Sequence, residues 1–180
     1  MLDFADFDDA MLAESARSDP AAFSALYRRY LTPVYRYLYR RVGNVAEAED
    51  ITAQVFIEAL EGLMANRYRE GGHFSAWLFA IARHRLADFY RQHSPIPLED
   101  PPLPEPGLLA AIEKGDDLRR LAGLLAQLDE ERQELLRLRF SAGLSFSEIA
   151  LLEGRSEAAV KMAFYRTIEF LRAHWEVEVG

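Results

Sequence analysis

The sequence predicts an all-α protein made of two small helical domains. Apolar residues recur at helical spacing on both sides of a proline cluster, and residues suited to capping precede these runs. No alternating run of β-branched residues and no Asn-Gly hairpin turn signals a strand. With 180 residues, half of them apolar, the chain has enough apolar surface for one domain or two small ones.

The first long helix is announced by Asp19-Pro20, an N-cap followed by proline at the first helical position. Phe23, Leu26, Tyr27, Tyr30, Leu31, Val34, Leu38 and Val42 continue it near helical spacing, and Pro33 is expected to kink it or mark a junction. Gly43-Asn44 ends that helix and starts the next, with Asn44 and Glu47 at capping-box spacing. In VAEAEDITAQVFIEALEGLM, Ile51, Val55 and Leu60 point inward. Asp50, Gln54 and Glu58 recur at i, i+4 and i+8 on an outer face. After NRYREGG, the run HFSAWLFAIARHRLADFYRQH mixes Phe74, Trp77, Leu78, Ile81, Leu86 and Phe89 with Arg83, Arg85 and Arg91.

Six of the eight prolines fall between Pro95 and Pro106. Proline lacks the N–H and disfavours helix before it, so this stretch is expected to be extended and semi-rigid. The boundaries expected are therefore 1–94, a linker at 95–117 and 118–180. Past the linker, LLAGLLAQLDEERQELLRLRF reads as one helix capped around Asp129 or two in sequence. Ser145 and Glu148 form a capping-box pattern before a short helix. Glu153-Gly154-Arg155 is a turn, and Ser156 caps a longer helix to about His174. This arrangement describes a helix-turn-helix. Val160, Phe164, Thr167 and Leu171 face inward, while Glu157, Ala158, Lys161, Met162, Tyr165 and Arg166 face outward.

The net charge of −8 is unevenly spread. Residues 1–20 have one basic against six acidic side chains, and residues 95–117 again one against six. Residues 21–94 have ten basic against seven acidic, and 118–180 nine against ten. The average charge therefore does not exclude a nucleic-acid partner for one face. The acidic amino terminus lacks a secretion signal, and no apolar run reaches the roughly 20 residues that span a bilayer. With no cysteine, disulfides and thiolate metal sites are excluded, and a reducing compartment fits.

In order, AAFSALYRRY, EAEDITAQVFIEAL, FSAWLFAIARHRLADFYRQ, the proline linker and LDEERQELLRLRF-SAGLSFSEIA closely resemble the extracytoplasmic-function sigma factors of bacterial RNA polymerase. The resemblance covers about Asp9 to Gln92 and Leu118 to Arg172. It implies a cytoplasmic protein of sigma domain 2, which binds the polymerase clamp and opens the −10 element, and sigma domain 4, which sits on the β flap and reads the −35 duplex. Implied partners are core RNA polymerase, promoter DNA and an anti-sigma factor, with no membrane insertion, no cofactor and no metal.

Carried over by motif, Asp50, Gln54 and Glu58 become contacts for the β′ clamp helices; a solvated helix face is the bland alternative. Phe74, Trp77, Arg83, His84 and Arg85 become candidates for the opened −10 strand, which needs cations for phosphates and flat surfaces for unstacked bases. Trp77 also suits a core. Arg155, Ser156, Lys161, Met162, Tyr165 and Arg166 map onto the −35 reader.

The chain departs from the family pattern in places. His84 replaces a common Asn, and Ala80 a frequent basic residue. Ala163, Ile168 and Phe170 stand where Arg or Lys is frequent, which weakens duplex binding and hints at packing toward Trp175. The linker acids fit the basic polymerase cleft that the resemblance implies.

The four histidines lack metal-ligand spacing, and no nucleophile–base arrangement is readable, so an enzyme is not expected. Alternatives are an independent dimeric helix-turn-helix regulator, or a sigma-like protein that occupies polymerase or an anti-sigma factor without initiating.

Overall fold

The computed structural model describes residues 7–69, 73–93 and 115–177, with the side chains of 115, 116, 176 and 177 left aside. All regular structure among the described residues is helical. Most of the 95–117 linker lies outside them.

A short helix α1, Asp9–Ser15, sits inside what reads as an acidic leader. The Asp8 carboxylate caps it, accepting the Met11 N–H at 2.8 Å. Leu12 and Ala13 are buried, and Asp9 ties the helix to Arg29 and the Tyr30 hydroxyl. Helix α2, Pro20–Val42, begins as expected, with Asp19 accepting the Ala21 N–H at 2.8 Å. Pro33 lies inside one helix and marks no junction. The burial of Val34, Tyr37 and Leu38 in the next turn offsets the backbone hydrogen bond that proline removes.

Helix α3, Val45–Met64, is capped by Asn44, which accepts the Glu47 N–H at 3.1 Å. Helix α4, Phe74–Gln92, closes the first unit against α2 and α3. Leu26, Leu38, Val55, Leu63, Leu78 and Phe79 form its centre.

In the second unit, the stretch around Asp129 is two helices. Helix α5 is Gly115–Ala126, and α6 is Glu130–Leu136, which runs into a π-helical turn at Arg137–Ser141. Asp129 breaks the run by capping α6, accepting the Arg132 N–H at 2.9 Å. Helix α7, Phe146–Glu153, and helix α8, Glu157–Val177, complete the unit around Leu135, Leu138, Ile149 and Val160. The two units are docked: α4 packs on α7 and α2 on the π turn, so one apolar cluster runs through both.

Candidate polymerase and nucleic-acid interfaces

On α3, helical periodicity buries Ile51 and Val55 and leaves Asp50 and Gln54 exposed. Glu58 does not share that openness. It is half-buried and accepts a hydrogen bond from Arg85 Nε of α4 at 2.6 Å. The structure thus joins a clamp candidate to a −10 candidate, and neither charge is free of the other. Ile57 and Glu61 extend the exposed face of α3. Ile57 carries no signal in the sequence, because the i, i+4, i+8 repeat that marks this face consists of the polar Asp50, Gln54 and Glu58. Beside this face, Asp50, Gln54, Arg85 and Asp88 line a cavity of about 390 Å³ between α3 and α4.

The aromatic candidates of α4 divide. Phe74 is 1% exposed and packs against Tyr30, Tyr68 and Trp77, with ring centroids 5.5, 5.8 and 5.7 Å away. The expectation that Phe74 stacks on an unpaired base is therefore corrected: the ring has no free face, because the first turn of α4 points it into the core. Trp77 is half-buried and lies over Gly62. A Cβ at Gly62 would stand 2.8 Å from the Trp77 ring, so α3 carries glycine where the indole crosses it. Arg83 and His84 are exposed, and Arg85 is partly covered.

In the second unit, Ser145 and Glu148 form a reciprocal capping box. The Ser145 hydroxyl accepts the Glu148 N–H at 3.2 Å, and the Glu148 carboxylate accepts the Ser145 N–H at 2.7 Å. Gly154 then turns the chain with φ +64°, a left-handed conformation that glycine adopts without a side-chain clash. The Ser156 hydroxyl accepts the Ala159 N–H at 3.2 Å and starts α8.

This geometry places Ser156, just before α8, together with Lys161, Met162, Tyr165 and Arg166 on the exposed amino-terminal half of that helix. Arg155 behaves otherwise. It is half-buried, with Nη1 2.5 Å from Glu131 and 3.4 Å from Glu153. Lys161 Nζ lies 2.7 Å from Glu157, whose hydrogen bond and charge hold the ammonium above its ordinary pKa.

An aromatic patch adjoins this face. Phe140, on the π turn, is 64% exposed and leans on Phe164, which also meets Phe146 at 5.2 Å. Arg139 and Lys161 approach the Phe146 ring at 5.1 and 6.0 Å. The exposure of Phe140 had no local signal, because LRLRF reads as ordinary amphipathic helix. Packing near the carboxyl end is present: Phe170 meets Arg132 and Trp175 meets Arg120 at 5.8 and 4.4 Å. Among the described residues no group of three or more metal-ligating side chains assembles, and no helix is long and apolar enough to cross a membrane.

Comparison with known proteins agrees with this layout. The Sigma-70 region 2 family matches residues 26–96, and the Sigma-70, region 4 family matches residues 118–171. The ECF RNA polymerase sigma factor BldN of Streptomyces coelicolor is 36% identical, over 93% of this chain and 67% of its own length. The ECF RNA polymerase sigma factor SigD of Mycobacterium tuberculosis is 32% identical, over 91% and 82%. Among solved structures, CnrH in complex with the cytosolic domain of CnrY shares the fold, with a TM-score of 0.67 at 24% identity over 94% of this chain and 97% of that one. With a region-2 unit, a region-4 helix-turn-helix unit and relatives matched over most of their length, the chain belongs to the extracytoplasmic-function sigma factors, the promoter-recognition subunits of RNA polymerase.

Proposed function

We propose a division of labour among the exposed faces of this sigma factor. Asp50 and Gln54 on α3, with Ile57 between turns, meet the β′ clamp helices of core polymerase. Arg83 and His84 on α4, with the open edge of Trp77, hold the separated −10 strand. Ser156, Lys161, Met162, Tyr165 and Arg166 read the −35 duplex, while Arg155 supports the turn before them. The observation that carries this reading is the exposed start of α8: a helix-turn-helix presents its second helix to the major groove by that end.

The protein works in the cytoplasm as an initiation subunit with no catalysis of its own. An anti-sigma factor is a further partner in this reading. CnrH, which shares the fold, is held by the cytosolic domain of CnrY.

Run-off transcription with purified core polymerase tests the reading. Promoter-specific transcripts that depend on this chain are expected. Polymerase binding without transcripts would overturn initiation, and tight operator binding by the free chain would favour an independent regulator.

A further inference from the structure

Helix α1 lies ahead of residues 26–96, the stretch matched to Sigma-70 region 2, and none of the faces described above uses it. Its seven residues are far below the roughly 12–15 that a helix needs to stand alone in water, so α1 is held by what it grips. Leu12, Ala13 and the neighbouring Ala16 are buried, and α1 packs on α2 and α4. Its two ends are polar clasps. At the amino end, Asp9 accepts from Arg29 and from the Tyr30 hydroxyl, and Arg29 also donates to the Phe7 carbonyl at 3.1 Å. Just past the carboxyl end, Arg17 Nη2 donates to the Tyr68 carbonyl at 3.4 Å, while Nη1 pairs with Glu14 at 3.3 Å. Burial raises the Tyr68 phenol above its ordinary pKa, Asp9 and Asp8 add to this, and Arg17 opposes it. Charges from both ends of α1 thus act on this one side chain.

The two clasped tyrosines belong to one aromatic group. Tyr30 packs on Phe74, and Tyr68, 4% exposed, packs on Phe74 and on Trp77, whose ring centroid is 5.3 Å away. Trp77 also rests on Gly62. Gly62 and Tyr68 are joined by the reversal that ends α3. Asn66 is left-handed there, with φ +56°. Its N–H meets the Leu63 carbonyl at 3.1 Å, and the Arg67 N–H meets the Gly62 carbonyl at 2.8 Å. Two neighbours of the indole therefore ride on one turn, and Arg17 holds the far end of that turn.

We propose that α1 is a positioning element of the −10 site: by clasping Tyr30 through Asp9 and Tyr68 through Arg17, it fixes the aromatic group that backs Trp77 and presents the open edge of the indole to an unstacked base. The inference rests on the −10 role given to Trp77 above. Asp9 and Arg17 are positioning residues that act through the two tyrosines. The physical need is alignment, because a base stacks on a ring only while the ring is held in place by its supports. Helix α4 cannot supply that support alone, since Tyr30 comes from α2 and Tyr68 from the chain between α3 and α4.

The chain has two tryptophans, so Trp175→Phe leaves Trp77 as the single emitter. In that background Arg17→Ala and Asp9→Ala should each raise acrylamide quenching of Trp77 at least about twofold by local loosening, with helicity retained in circular dichroism. Arg17→Lys keeps a donor and should reverse most of the Arg17→Ala change. Ile51→Ala removes buried apolar surface about three turns from Gly62 and should leave quenching unchanged. The second readout is run-off transcription. Arg17→Ala should lower transcripts from a duplex promoter at least about fivefold, the low end for one lost base stack. A template mismatched across −10, with the non-template sequence kept, needs no strand separation. On it the loss should shrink to less than about twofold, because the unpairing cost is already met.

Unchanged quenching in both Arg17→Ala and Asp9→Ala, an equal rise in Ile51→Ala, or equal transcript losses on both templates would overturn the proposal. Quenching needs no polymerase. A failed run-off with the unsubstituted chain would therefore count against the functional reading, whereas unchanged quenching would overturn this inference alone.

Discussion

Two single positions show how narrowly packing is set. Gly62 lies under Trp77, and a methyl group there would stand 2.8 Å from the indole. Alanine favours helix over glycine by about 1 kcal/mol, but overpacking costs about 1–3 kcal/mol, so steric cost wins. Gly62→Ala should lower stability by up to about 2 kcal/mol in urea titration and shift the tryptophan emission as Trp77 is displaced.

Glu148 is the second such position. Burial alone would raise its carboxyl, but hydrogen bonds from Ser75 and Ser145 and the charge of His73 outweigh this and hold it below the ordinary value of about 4.5. Its folded pKa is depressed, so its contribution is fully present above the unfolded value and is lost as pH falls through the folded one. Glu148→Ala should therefore cost about 1 kcal/mol at neutral pH, the usual loss for a broken cap. The gap from wild type should close toward acid pH in denaturation curves.

At the scale of elements, α3 separates two kinds of acid. Asp50 is exposed, while Glu58 is bonded to Arg85. Asp50→Lys should leave stability within about 0.5 kcal/mol of wild type and weaken retention of core polymerase in pull-downs at moderate salt. Glu58→Lys should weaken the first unit itself, seen as a lower melting temperature, because it sets two cations together.

On α8, Lys161→Ala and Arg166→Ala should each weaken transcription from promoters with an intact −35 element. A bidentate base contact predicts a loss of about 5- to 150-fold confined to one base position. A phosphate contact predicts a similar loss for every sequence. A promoter-mutant panel distinguishes the two, and no loss for either variant would remove both residues from the reader.

For the whole molecule, the charge balance works against DNA binding by the free chain. The chain carries −8 overall, its reading helix offers few cations, and Lys161 is already paired with Glu157. Free protein should therefore bind promoter duplex more weakly than about 10⁻⁸ M at physiological salt, the weak edge of specific regulators, and affinity should fall steeply as salt rises. Fluorescence anisotropy over a salt series checks this. Nanomolar binding without polymerase would contradict it.

Helices α2 to α4 and the helix-turn-helix were legible because their signals are local, whereas α1, read only as part of an acidic amino terminus, was not. Asp19-Pro20, Asn44, Asp129 and the Ser145–Glu148 box act within three residues of themselves, and apolar periodicity follows from the helix repeat. The outward set on α8 could be read for the same reason, since the inward positions of one helix define their complement. Tertiary structure decided the rest. Phe74 and Trp77 sit one helical turn apart, and only the neighbours Tyr30, Tyr68 and Gly62 determine that one ring is enclosed and the other partly open. Likewise, Glu58 looked like Asp50 until α4 brought Arg85 to it. The docking of the two units through Tyr37 and Glu134 had no local signature, because each side chain suits its own helix and only long-range packing, across 97 positions, makes them partners.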